Sequence, residues 1–339
     1  MSVKIFYGLE YTRVFKSIIE WQRKNIIIAP NKQKIKAMRT DIKNCIEQIS
    51  QVIRGKHTQI ELSLICLLAR GHLLLEDLPG MGKTTLSQSF AQVFGLQFSR
   101  IQFTSDLLPA DMLGINIYDQ TTHQFSFHPG PIFSQVVLAD EINRASPKTQ
   151  SALLEAMAER QVTTDGATRE LPDPFFVIAT QNPLHQAGTH PLPESQLDRF
   201  NMQLSLGYPD YASEKAMLLK ENKAKDVATI IDLEQLKQMQ DAVDDVTVSE
   251  AVVNYILNLV NLTRESGDFP NALSPRAAKA LFNTAKAAAF VNRRDFVTPE
   301  DVQFVLAAVC EHRLRGQLVS QTATSFSEFL LKQVDPLAA

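Results

Sequence analysis

Short apolar runs recur along the first two thirds of the chain, and stretches of helical periodicity separate them. His72–Leu75, Phe98–Phe103, Val136–Ala139, Phe175–Ala179 and Met202–Leu206 are too short for helices and read as strands. Lys83–Phe94 and Pro147–Arg160 carry their apolar residues at helical spacing. Strands that alternate with helices predict a mainly parallel sheet covered on both faces, because parallel neighbours need a crossover between them.

Two insertions break this rhythm. Residues 106–131 contain Gly114–Tyr118 and Gln124–Phe127 around a polar turn, which predicts a hairpin. Residues 161–171 place Asp165-Gly166 between alternating segments, and a two-residue turn of that composition suits positive φ at both central positions. Among the apolar residues of the insertions, Leu107, Leu108, Met112, Phe125 and Phe127 either touch a client or pack on their own domain, and packing is expected for Phe125 and Phe127.

After Tyr208-Pro209-Asp210 the periodicity becomes helical, over 211–222, 233–243, 249–265, 275–291 and 299–315. Ser249 begins one helix, Ser274 precedes Pro275 at the first position of another, and Thr298-Pro299-Glu300-Asp301 starts a third with acids in its first turn. The organisation expected is a basic extension over 1–40, an α/β core over 41–210 and a small all-helical domain over 211–330.

Composition changes the picture at one end only. With 45% apolar and 21% charged residues in 339, the chain has the makeup of an ordinary globular protein, and its net charge of −3 does not advertise nucleic acid. Residues 1–40, however, hold nine Lys and Arg against Glu10 and Glu20, interleaved with Phe6, Tyr7, Tyr11, Phe15 and Trp21. This segment reads as an accessory helix, as an extension upstream of a start at Met38, or as an arm for nucleic acid or acidic lipid. Cys45, Cys66 and Cys310 lie far apart in apolar surroundings, as buried thiols of a reducing compartment do. No run approaches a membrane span, and Ile26-Ile27-Ile28 is too short for a secretory core, so the cytoplasm is the expected location. The seven histidines, His185 and His190 among them, form no zinc pattern with Cys or carboxylates.

The chemistry concentrates where strands end. Leu73-Leu74-Leu75-Glu76 runs into Asp77-Leu78-Pro79-Gly80-Met81-Gly82-Lys83-Thr84-Thr85, a glycine-bearing loop that opens a helix. Backbone N–H groups of such a loop close around phosphate oxygens at the positive end of the new helix. Lys83 is placed to reach the outer phosphates and Thr84 to hold Mg2+. The usual loop has glycine where Asp77 stands; Asp tolerates left-handed backbone angles better than most residues, so the loop is expected to survive the departure. Asp140 and Glu141 end the buried strand Val136–Ala139; next to a phosphate loop, Asp140 is expected in the Mg2+ shell and Glu141 as general base on water. Two acids in this position also cap helices. Asn182, at the tip of the strand from Phe175, either orients that water or forms a turn before Pro183.

From Ala139-Asp140-Glu141-Ile142-Asn143-Arg144-Ala145-Ser146-Pro147 through Glu155-Ala156-Met157 the chain resembles the signature segment of MoxR-type AAA+ ATPases. The resemblance continues through Gly130-Pro131-Ile132-Phe133, Ala179-Thr180-Gln181-Asn182-Pro183, Leu192-Pro193-Glu194-Ser195-Gln196-Leu197-Asp198-Arg199-Phe200, Leu273-Ser274-Pro275-Arg276-Ala277 and Val297-Thr298-Pro299-Glu300-Asp301-Val302, roughly residues 41 to 315. It implies a P-loop NTPase core of three layers, αβα, with a five-stranded, mainly parallel sheet and a helical lid. It also implies ATP and Mg2+ as ligands, with residues Pro79 to Thr85 around the phosphates. By the same analogy Asn182 is the first sensor, Arg199 the arginine finger that reaches a neighbouring subunit, and Arg276 the second sensor on the subunit's own nucleotide. Arg199 reads otherwise as a salt-bridge partner of Asp198 or Glu194, Arg276 as a solvated helix-start residue, and Arg144 as a residue of the subunit interface. The function implied is ATP hydrolysis in a homo-oligomeric ring, commonly a hexamer, that remodels or matures a partner complex, often with a von Willebrand factor A domain protein. Magnesium-chelatase-like motors share this core, and a nucleic-acid motor of the helicase kind shares the hairpins. The acidic core and a 161–171 hairpin with Arg169 as its one basic residue speak against nucleic acid. A nucleotide-sensing scaffold without turnover would not need Glu141.

Overall fold

The computed structural model describes residues 32–182, 189–219, 227–315 and 325–336. Most of the basic extension, together with Pro183 and His185, lies outside the described residues.

Five strands form one parallel sheet: β1 (Leu73–Glu76), β2 (Phe98–Gln102), β5 (Val136–Asp140), β8 (Phe176–Gln181) and β9 (Met202–Leu204), in the order β2-β5-β8-β1-β9. The register sets Gln102 beside Asp140 and Glu76 beside Gln181. The C-terminal ends of four strands therefore share one rim of the sheet. The chain leaves β1 there through residues 77–82 and enters helix α3 (Lys83–Val93).

Side chains of successive strand residues face opposite ways, and two separate cores follow. Leu73, Leu75, Val136, Leu138, Phe176 and Ile178 pack beneath α3, α1 (Lys32–Val52) and α2 (His57–Leu68). Leu74, Val137, Ala139, Val177 and Ala179 pack against Leu153, Leu154 and Met157 of α5 (Pro147–Glu159). These are the three layers expected. The predicted boundary at residues 40 and 41 falls inside α1, and Met38 and Ile42 are both buried in the first core. The amphipathic stripe of that helix continues through the change in charge on which the boundary rested.

Both hairpins form. Following the short helix α4 (Pro109–Leu113), β3 (Gly114–Asp119) pairs with β4 (Gln124–Pro129); β6 (Gln161–Thr164) pairs with β7 (Ala167–Glu170). Asp165 and Gly166 have φ of 51° and 75°, the pair of positive values expected of this turn. The hairpins touch: Asn116 Nδ2 donates to Asp165 Oδ2 at 2.6 Å, and the Arg169 guanidinium lies 3.6 Å from the centre of the Phe127 ring. Phe127 packs as expected, also meeting Phe133, but Phe125 is 72% exposed, with its ring tilted against that of Tyr118.

The short helix α6 (Glu194–Leu197) precedes β9, and beyond Asp210 follow α7 (Tyr211–Leu218), α8 (Leu233–Asp244), α9 (Glu250–Glu265), α10 (Pro275–Val291), α11 (Pro299–Arg315) and α12 (Phe326–Gln333). The side chains of Asp232, Ser249 and Ser274 accept a backbone N–H in the first turns of α8, α9 and α10. α12 runs past the predicted limit at residue 330 and is anchored by Glu311, which accepts the Phe326 and Ser327 N–H groups. The helical domain packs along the β9 edge and onto α2, sharing the first core with the sheet. No described helix is long and apolar enough to cross a membrane.

Candidate functional site

A cleft of about 430 Å3 lies on the rim where the strands end, lined by Pro79, Gly80, Gly82, Lys83, Thr84, Thr85, Arg100, Gln102, Asp140 and Glu141. Gly80 and Gly82 have φ of 84° and 89°, where a Cβ is strained, and nothing lies within 4 Å of where one would stand. Gly82 directly precedes the first turn of α3, which has no side-chain cap, so the unpaired N–H groups of the turn are open to an anion. Lys83 is buried and its Nζ donates to the Asp77 carbonyl at 2.7 Å; burial draws its pKa down, opposed by Asp77, Asp140 and Glu141. Met81 turns away and packs on the first core, so it contributes backbone only.

Asp77 corrects one expectation. Its φ is not left-handed. Its buried carboxylate instead accepts Ser205 Oγ, Leu206 N–H and Gly207 N–H at 2.8, 2.7 and 2.9 Å. The acid is there to tie the loop to the segment that leaves β9 for the helical domain.

Both acids are held. Asp140 Oδ1 accepts Thr180 Oγ1 at 2.6 Å, and Oδ2 accepts Arg100 Nη2 and Nε at 2.6 and 3.2 Å. Glu141 has φ of 56°; its N–H donates to Thr180 Oγ1 at 2.8 Å, and its Oε2 accepts Arg144 Nη1 at 2.7 Å and Gln102 Nε2 at 3.1 Å. Asn182 follows β8, the strand between the acids and the phosphate loop, and its buried Oδ1 has no partner among the described residues. Arg100, Gln102 and Thr180 are site residues not singled out from the sequence. Their trace was available: Arg100 and Gln102 alternate with Ile101 and Phe103 on the strand that pairs with the acidic one.

The structure does not bring the two expected arginines to this cleft. Arg199 precedes β9, where Nη1 donates to Leu154 O at 2.6 Å and Nε is buried without a partner among the described residues; Asp198 pairs with Arg313, not with Arg199. Arg276 is exposed and lines a separate cavity of about 260 Å3, together with Arg70, Arg160, Asn201, Lys279 and Arg313. Arg70 precedes β1, and the Asn201 N–H donates to His72 O at 2.8 Å, so this cavity opens at the N-terminal ends of β1 and β9. A strand of this length spans roughly 13 Å, which separates Arg276 from the phosphate loop of its own chain. No contact among the described residues links Arg276 to its own subunit's phosphate loop, the link that the resemblance implies: the domain carrying it packs along the β9 edge and starts α10 at the opposite end of the sheet.

Comparison with known proteins agrees with this geometry. Residues 72–202 match the ATPase family associated with various cellular activities (AAA), and residues 262–330 match the AAA lid domain. The chain is 46% identical over 272 residues to the protein YeaC of Bacillus subtilis, covering 79% of this chain and 85% of that protein. It is 39% identical over 283 residues to Chaperone MoxR1 of Mycobacterium tuberculosis, covering 80% and 75%. A crystal structure of a Cytophaga hutchinsonii protein, 38% identical, superposes with a TM-score of 0.82 over 90% of this chain and 97% of that one. A glycine cradle and two acids on one rim, in a chain matched over most of its length by these proteins, identify a member of the MoxR family of AAA+ ATPases.

Proposed function

We propose that the chain hydrolyses ATP as a ring-forming motor and passes the stroke to a partner protein or complex. The observation that carries this reading is the gathering of Gly80, Gly82, Lys83, Thr84, Asp140 and Glu141 in one cleft. The open N–H groups and Lys83 bind and orient the triphosphate. Thr84 and Asp140 would hold Mg2+, which would supply charge neutralisation for the transferred phosphoryl group. Glu141 polarises the attacking water once it leaves Gln102 and Arg144, and Asn182 Oδ1 orients that water from the neighbouring strand tip.

Arg199 and Arg276 act on the nucleotide of the adjacent subunit. Their position at the far end of the sheet supports this, because a second subunit set with that end against the cleft would supply both groups. A guanidinium supplied in trans is worth about 10³–10⁵ in rate, so turnover depends on assembly. The client is a protein complex, as the name of the mycobacterial relative suggests, and a von Willebrand factor A domain protein is the partner we favour from the family resemblance. The decisive measurement is phosphate release and retention of Mg·ATP by the purified chain, beside Lys83→Ala. Turnover in the wild type and loss of both properties in the variant are expected; equal turnover by the two would overturn the reading. Affinity capture with Glu141→Gln in ATP then identifies the client.

A further inference from the structure

Arg100 stands where neither the phosphate loop nor the acids require a cation. Its guanidinium grips Asp140 Oδ2 through both Nη2 and Nε, at 2.6 and 3.2 Å, and Nη2 also donates to Gln102 Oε1 at 3.0 Å. Asp140 is buried, with Oδ1 already taken by Thr180, whereas the Arg100 side chain is 48% exposed and lines the cleft. Oδ2 already accepts two guanidinium N–H groups, so a divalent cation, bound directly or through a water, would have to share that oxygen with a positive group, which like-charge repulsion disfavours. Arg100 is the partner free to move, because it is half in solvent and its Cα is fixed in the ladder with β5.

We propose that Arg100 exchanges partners during nucleotide binding: it leaves Asp140 as the metal arrives and closes on the terminal phosphate oxygens as a guanidinium supplied in cis. This rests on the reading of the cleft as an Mg·ATP site. A planar fork suits phosphate oxygens, and the side chain, rooted two residues before the end of β2, reaches the cleft that Lys83 lines, where the acidic lining residues are Asp140 and Glu141. The exchange also couples to the general base, because Gln102, released by Arg100 Nη2, is one of the two residues, with Arg144, that hold Glu141 Oε2.

The test uses the full chain and two binding readouts, with Arg100→Gln and Arg100→Lys beside the wild type. Mn2+ replaces Mg2+ and is followed by its electron paramagnetic resonance in the presence of ADP. The ratio of affinities for the β,γ-imido analogue of ATP over ADP is measured by calorimetry. Removing a charged hydrogen-bonding group on each side of the exchange predicts, for Arg100→Gln, Mn2+ binding tighter by about tenfold and a triphosphate preference lower by about tenfold. Arg100→Lys, which keeps the charge without the fork, falls between. Unchanged values of both quantities make Arg100 a static ion pair and overturn the proposal, and so does a change in one without the other. Failure of the wild type itself to bind Mn·ADP, with Lys83→Ala indistinguishable from it, locates the failure in the reading of the cleft and takes this inference with it.

Discussion

His72 enters β1 with both ring nitrogens engaged: Nδ1 accepts the Val177 N–H at 3.1 Å, which leaves Nε2 to donate to Met157 O at 3.3 Å. A second proton would have to sit on Nδ1, facing an N–H. Burial accordingly pushes the imidazole from its ordinary 6.5 down to about 4. The unfolded chain therefore binds the extra proton between those values, and stability must fall as the pH drops through that window. The loss from this residue alone is on the order of 3 kcal/mol when complete. His312, buried beside Arg313, is shifted in the same direction, chiefly by burial, and adds to the slope. Denaturant midpoints at pH 7.5 and 5.0 should show a clear decrease, and an imidazole resonance of His72 that titrates near 6.5 would count against the argument. At the cleft, Glu141→Gln removes the carboxylate but keeps its shape and its contact with Gln102. It should retain Mg·ATP while lowering turnover at least about a hundredfold, the ordinary worth of a general base; a fluorescent nucleotide titration beside a phosphate assay separates the two effects.

Elements were legible where a local signal sets them. The helices beginning at Pro275 and Pro299, the strand ending in Asp140 and the Asp165-Gly166 turn all lie where their caps, periods or turn residues place them. α1 and α12 were harder, because a change of charge falls within the first and the second is fixed by Glu311 from another helix. At the site, the glycines and acids announce themselves by residue type, whereas Arg100 and Gln102 become site residues only through the register of β2 on β5. Asp77 was visible as a departure but misread, since its reason lies more than a hundred residues away at Ser205, Leu206 and Gly207. That reason is testable. Asp77→Gly restores the residue usual in phosphate loops, yet it strips three hydrogen bonds from a charged acceptor and leaves the buried Leu206 N–H unpaired. It should lower the free energy of unfolding by about 2–4 kcal/mol, measured by urea denaturation. Unchanged or higher stability would show that the loop wants glycine here after all.

On the scale of the whole molecule, the sheet has two working ends. One carries the cradle and the acids; the other carries Arg199 and, in a cavity with Arg70, Arg160 and Arg313, Arg276. If those guanidinium groups are needed at the cleft, a second subunit must bring them, because in this chain they lie at the other end of buried strands. Mixing two inactive variants tests this directly. Lys83→Ala cannot hold ATP but keeps Arg276; Arg276→Ala holds ATP but lacks the donated guanidinium. If the arginine acts across the interface, a mixed ring contains junctions where an intact Lys83 on one subunit meets an intact Arg276 on the next, and phosphate release should recover to a substantial fraction of wild type, greatest near equal proportions. If it acts within its own subunit, no subunit in the mixture owns both residues and activity stays at the level of the separate variants. The same logic applied to Arg199→Ala with Lys83→Ala should give recovery as well. Recovery with Arg199 and none with Arg276 would return Arg276 to the nucleotide of its own chain, and would require the helical domain to leave the β9 edge against which it now packs.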